Sequence, residues 1–173
     1  MTLISEMIKI KSNEDGIIFV NCNLETVALY LGSKPKKVLC IHYDESVQRS
    51  IYDTVSILPV KSAFETFSVY ADSDDGRTFD SFHKQNQINL DMTTYNHIVV
   101  NEAVVPDLIA SGFTRVLQTY KNIKTFQVRS TYDLYSTVKS KLDDVLNACG
   151  FQATTALYDE VHKKYTLVYE QKQ

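Results

Sequence analysis

The chain has 173 residues, 44% of them hydrophobic and 23% charged, with a formal net charge of -3. That suits one soluble domain with a real core and argues against a generally basic, nucleic-acid-coating surface. No run approaches the roughly 18 apolar residues of a membrane span. Leu3, Ile4, Met7, Ile8 and Ile10 fit one face of a short helix rather than a secretory leader. Cys22, Cys40 and Cys149 are odd in number and widely spaced, so a reducing, cytoplasmic setting is expected, without a disulfide framework. No CxxC and no histidine pair with ligand spacing occurs, which argues against zinc.

Apolar runs alternate with helical patterns along the chain. "GIIFVNC", Gly16 to Cys22, reads as a strand buried on both faces. "LETVALYLG" follows as a short helix that Gly32 stops. "KKVLCIHYD" is a second buried strand ending at Asp44, and Val47, Ile51, Val55 and Leu58 mark one face of the next helix. "FETFSVYAD" alternates as a third strand, and residues 73–92 form a polar loop with room for a short helix. "YNHIVVNEAVV" is the fourth strand. Pro106 opens a helix interrupted at Gly112 and resumed in "TRVLQTYKN", and "IKTFQVRS" is the fifth strand.

Leu134, Val138, Leu142, Val145, Leu146 and Cys149 make the apolar stripe of the clearest helix, which Gly150 ends. "QATTALYD" and "KYTLVYEQK" are joined by "EVHK", a link too short for a parallel return, so the pair is antiparallel. The pattern predicts an α/β fold in three layers: a mostly parallel sheet of seven strands with helices on both faces and a C-terminal antiparallel hairpin, in one domain over 1–173. Ligands of such sheets bind outside the carboxyl ends of the strands. The residues there are Asn21 to Glu25, Asp44 to Ser46, Asp72 to Asp74, and Asn101 with Glu102.

Each of these has a bland reading beside the functional one. Asp44 or Ser46 can cap the next helix. Asp72, Asp74 and Asp75 suit a solvated turn before Gly76, and Asn101 with Glu102 can satisfy loop backbone groups before Pro106. His97 and His42 lie in strand patterns and read as core histidines, whereas His83 and His162 sit in polar stretches. Cys22 reads as a small buried residue. The basic runs "KPKK" and "HKK" read as solubility features, and no aromatic and basic residues interleave as a nucleic-acid platform requires.

The order and spacing of the strands, with "LNACGF" ending the helix before the hairpin and "VLCIHYDES" in the second strand, resemble the class I S-adenosylmethionine (SAM) methyltransferases over most of the chain. The resemblance implies that Asp44 meets the cofactor ribose, that Asp72 lies beside the adenine, and that Asn101 and Glu102 flank the transferred methyl group as catalytic residues. "FVNCNLETVALYLG" falls where the family's glycine-rich first motif belongs, yet residues 21–25 contain no glycine. Asn21 and Asn23 are the replacements that best tolerate a left-handed backbone. Leu24 and Glu25 add bulk and charge.

The expectation is therefore a methyltransferase-fold protein with a degenerate cofactor site and no cofactor. It would be a non-catalytic binding, regulatory or structural subunit with a protein partner or a second copy of itself. The alternative is an active SAM-dependent methyltransferase with a divergent first motif. It would take a small substrate, or rely on a partner for specificity, because no substrate-recognition insert is present.

Overall fold

A computed structural model describes residues 14–21, 35–42, 46, 49–50, 53, 64–68, 80, 91–101, 106–130, 138–161 and 163–172. The strands are β1 (Gly16–Val20), β2 (Lys37–His42), β3 (Phe64–Ser68), β4 (His97–Asn101), β5 (Thr125–Ser130), β6 (Phe151–Asp159) and β7 (Lys164–Gln171). The helices bounded within the described residues are α1 (Pro106–Ser111), α2 (Thr114–Thr119) and α3 (Val138–Ala148). Residues 46, 49, 50 and 53 are also helical, inside the segment whose apolar spacing predicts a helix.

One mixed sheet runs in the order β3-β2-β1-β4-β5-β7-β6. β3, β2, β1, β4 and β5 pair in parallel, and β7 returns antiparallel to both β5 and β6. The order reverses between β1 and β4, so a crevice is expected at their carboxyl ends.

Alternation along each strand divides the sheet into two faces. Ile18, Val20, Leu39, Ile41, Ile98, Val100, Phe126 and Val128 form one core with Ile109, Phe113, Val116, Leu117, Leu142 and Leu146 of the helical segments. The break between α1 and α2 falls at Gly112 and Phe113, and Phe113 is itself buried edge-on against Phe126. The stripe of α3 packs as its spacing predicts from Val138 to Cys149, while Leu134 lies outside the described residues. Gly150 ends α3 at φ +87°, in the left-handed region that favours glycine, and turns the chain into the buried Phe151. α1, α2 and α3 pack on this face, and the rest of the three-layer expectation falls outside what the described residues show.

Two elements depend on partners remote in sequence. The Asp80 carboxylate accepts from the backbone N–H groups of Arg115 (2.7 Å) and Val116 (3.0 Å), so it caps α2 from 35 residues away. Burial pushes its carboxyl above the usual value, against the lowering by those two bonds. The turns at the amino ends of β1, β4 and β5 are tied by two asparagines. Asn96 Oδ1 accepts from Gly16 N–H and Asn96 Nδ2 donates to the Asn122 carbonyl. Asn122 Nδ2 donates to the carbonyls of Met92 and Tyr95.

Gly16 sits inside this clamp, where a Cβ would run into the backbone carbonyl of Thr94. Backbone cannot swing aside as a side chain can, so Gly16→Ala should behave as an overpacking change. We expect a loss of about 1–3 kcal/mol in urea unfolding. An unchanged midpoint would contradict the clamp.

Candidate functional site at the carboxyl edge of the sheet

The second face of β4 and β5 is buried but polar. It carries His97 and Asn101 from β4, and Thr125, Gln127 and Arg129 from β5. "TFQVRS" alternates polar and apolar residues, but both of its faces are buried. Buried polar groups need partners, and each one left without a partner costs about 1–3 kcal/mol.

At the amino end these partners are present. His97 Nε2 lies 2.9 Å from Asp15 Oδ2, and His97 Nδ1 lies 2.8 Å from Thr125 Oγ1. Lys124 Nζ reaches Asp15 Oδ1 at 3.1 Å, and Gln127 Nε2 donates to Thr125 Oγ1 at 3.3 Å. A carboxylate can only accept, so Nε2 carries the ring proton and Nδ1 accepts from the threonine hydroxyl. Burial lowers the His97 pKa, opposed by the hydrogen bond and charge of Asp15, and Lys124 lowers it further. The order Asp–His–hydroxyl would suit nucleophile activation. Here Thr125 is only 4% exposed and its hydroxyl is already held by Gln127, so the group is structural.

At the carboxyl end such partners are missing among the described residues. Asn101, fully buried, ends β4, and Arg129 stands directly opposite it on β5. Neither Nδ2 nor Oδ1 of Asn101 has a hydrogen-bond partner, and neither do Nε and Nη1 of Arg129. Asn21 follows β1, whose Val20 is in register with Val100 of β4. Its N–H donates to the Ile41 carbonyl at 2.9 Å, its φ is +55°, and its buried Oδ1 has no partner.

Asn21 therefore takes the left-handed backbone that its residue type allows at the first turn. The side-chain amide of Asn101 bonds no loop backbone group among the described residues. Of the other expected site residues, Asn23, Asp44, Asp72 and Glu102 lie outside the described residues, as does Cys22. Arg129 was missed by reasoning from the sequence. The signal was present, because a cation inside an otherwise uncharged strand of this kind is unusual. Among the described residues no group of three His, Cys, Asp or Glu side chains could hold a metal ion, and no helix is long and apolar enough to cross a membrane.

The His97 group makes stability depend on pH. A histidine held neutral by burial has a folded pKa below its unfolded value near 6.5. Its contribution is present above that value and is lost as pH falls through the folded pKa, because the unfolded state takes up the proton first. Urea unfolding at pH 7.5 and 5.5 should show a larger acid loss in the native chain than in His97→Gln. The reverse order would mean that the imidazole is charged against Asp15.

No protein-family model and no curated protein matches the chain. Solved structures do match it. A candidate tRNA (m1A22) methyltransferase, Sp1610 of Streptococcus pneumoniae, has a TM-score of 0.64 at 16% identity, over 100% of this chain and 71% of that one. TrmK of M. capricolum, in complex with S-adenosyl-homocysteine, has a TM-score of 0.61 at 13% identity, over 100% of this chain and 69% of that one. Fibrillarin of Aeropyrum pernix, with natively bound SAM, has a TM-score of 0.64 at 11% identity, over 92% and 67%. These identities speak for the fold alone: the chain has the Rossmann-like α/β fold of the class I SAM-dependent methyltransferases.

Proposed function

We propose that the chain binds SAM or its demethylated product at the carboxyl edge of the sheet, and holds a methyl acceptor beside Asn101. The observation that carries this is the cluster of buried, unpartnered polar atoms on Asn21 and Asn101. The φ of +55° at Asn21 supports it, because the backbone adopts the conformation for which glycine is normally needed. A dead site would be expected to fill with apolar side chains, or to satisfy its polar groups internally.

SAM would supply an electrophilic methyl group, and the chain's own part is to position the two reactants. Asn101 can orient an acceptor through both a donor and an acceptor atom of its amide. Asp44 would take the ribose hydroxyls, Asp72 the adenine side, Asn23 the turn beside the methionine moiety, and Glu102 the acceptor. We infer the complete fold to be the three-layer, seven-stranded form in one domain over 1–173, placed in the cytoplasm.

The second reading is a non-catalytic subunit with a degenerate cofactor site, favoured by the absence of glycine from residues 21–25. The outermost strand, β6, supports a protein partner or a second copy. Among the described residues it is unpaired on its outer side, and it and the following turn leave Leu157, Tyr158 and Val161 exposed by 42%, 49% and 78%.

Thermal unfolding with SAM and with S-adenosylhomocysteine separates the two readings. A ligand at about one hundred times its dissociation constant should add about 2.7 kcal/mol of stability. For a domain of this size that is a rise of several degrees. We expect the rise in the native chain and its loss in Asp44→Ala. No shift at millimolar ligand would support the non-catalytic subunit instead.

A further inference from the structure

We propose that Arg129, beside Asn101, is an oxyanion-binding corner of the site. It would take a carboxylate or phosphate group that is flanked by a hydroxyl or amine. The inference rests on the reading of the carboxyl edge as a ligand site and adds to it the charge of what binds there.

Arg129 is 4% exposed, so its guanidinium is held out of water with its charge intact. The carboxylate recorded near it is Asp159, at 4.0 Å from Nη2, beyond hydrogen-bond distance. Asp159 also has another role: its Oδ1 accepts from Val161 N–H and shapes the turn between β6 and β7. Nε and Nη1 have no hydrogen-bond partner among the described residues. A buried cation with so little compensation among the described residues is unfavourable unless an anion completes it. Guanidinium matches the planar carboxylate and the phosphate oxygens better than any other side chain does.

Asn101 narrows the chemistry. Its Nδ2 can donate to the same oxyanion, while its Oδ1 needs an N–H or O–H from the ligand. An apolar ligand would leave all of these atoms unpaired. The contrast with the other end of this face is the main support. There every polar group from Asp15 to Gln127 already has its partner, so on this face the orphans lie at the edge where ligands of this fold bind, while Arg115 Nε and Gln171 Nε2 are orphaned elsewhere.

The test uses the full chain, isotopically labelled, with the Arg129 Nε–H resonance assigned by its absence from Arg129→Gln. Sodium phosphate and sodium acetate are titrated in separately, with ionic strength held constant by chloride. We expect a saturable shift of that resonance with one of the two anions, and an anion-dependent rise in Tm that Arg129→Gln loses. The anion that binds more tightly names the ligand group. No shift with either anion, or the same shift with chloride alone, overturns the proposal, and this readout on the native chain stands even if the variant misfolds.

S-adenosylhomocysteine, which has its own carboxylate, is the third arm. Anion binding without a response to it would sink the nucleoside reading and leave the oxyanion corner standing. A nucleoside response without anion binding would do the opposite. Where both occur, a nucleoside response lost in Arg129→Gln puts the anion on the nucleoside, and a response kept there puts it on the acceptor.

Discussion

The second face of β4 and β5 is buried, so every polar side chain on it must find a partner inside the protein or in a ligand. This constraint organises the centre of the molecule. The parallel register brings Asn101 opposite Arg129 and His97 opposite Thr125. At the amino end the demand is met within the fold, by Asp15 from the residue before β1 and by Lys124 from the residue before β5. At the carboxyl end it is not met among the described residues. This face of the sheet is therefore satisfied at one end and carries orphaned polar atoms at the other, the end where parallel sheets receive ligands.

Much of the architecture was legible in the residues. Continuous apolar runs gave β1, β2 and β4 because these strands are buried in the sheet, and a run of that kind leaves little else to form. The interruption at Gly112 and the stop at Gly150 were legible because glycine marks local backbone events. The short "EVHK" link settled the antiparallel hairpin by chain length alone. β1 came out shorter than its apolar run, ending at Val20 before Asn21 turns to positive φ.

What stayed hidden was everything decided by remote partners. Asp80 lies in a stretch read as a polar loop, and nothing near it shows that it caps α2. His97 could be read as a core histidine, but its partner Asp15 lies 82 residues away. Arg129 was visible only as a strand residue. Whether a buried polar group is satisfied or orphaned depends on tertiary contacts that no local pattern encodes. The first turn shows the same limit from the other side. Residue type says that Asn21 tolerates the left-handed region, and only the fold shows that it uses it.

The central claim is that the orphaned amides of Asn21 and Asn101 are the floor of a working ligand site. The most direct measurement is a crystal structure of the chain grown with saturating S-adenosylhomocysteine. The account predicts the nucleoside across the carboxyl ends of β1, β2 and β4, with ligand or ordered water bonded to Asn101 Nδ2 and Oδ1. A cleft filled by the chain's own 21–25 turn, with both amides satisfied by protein and no nucleoside bound, would contradict it.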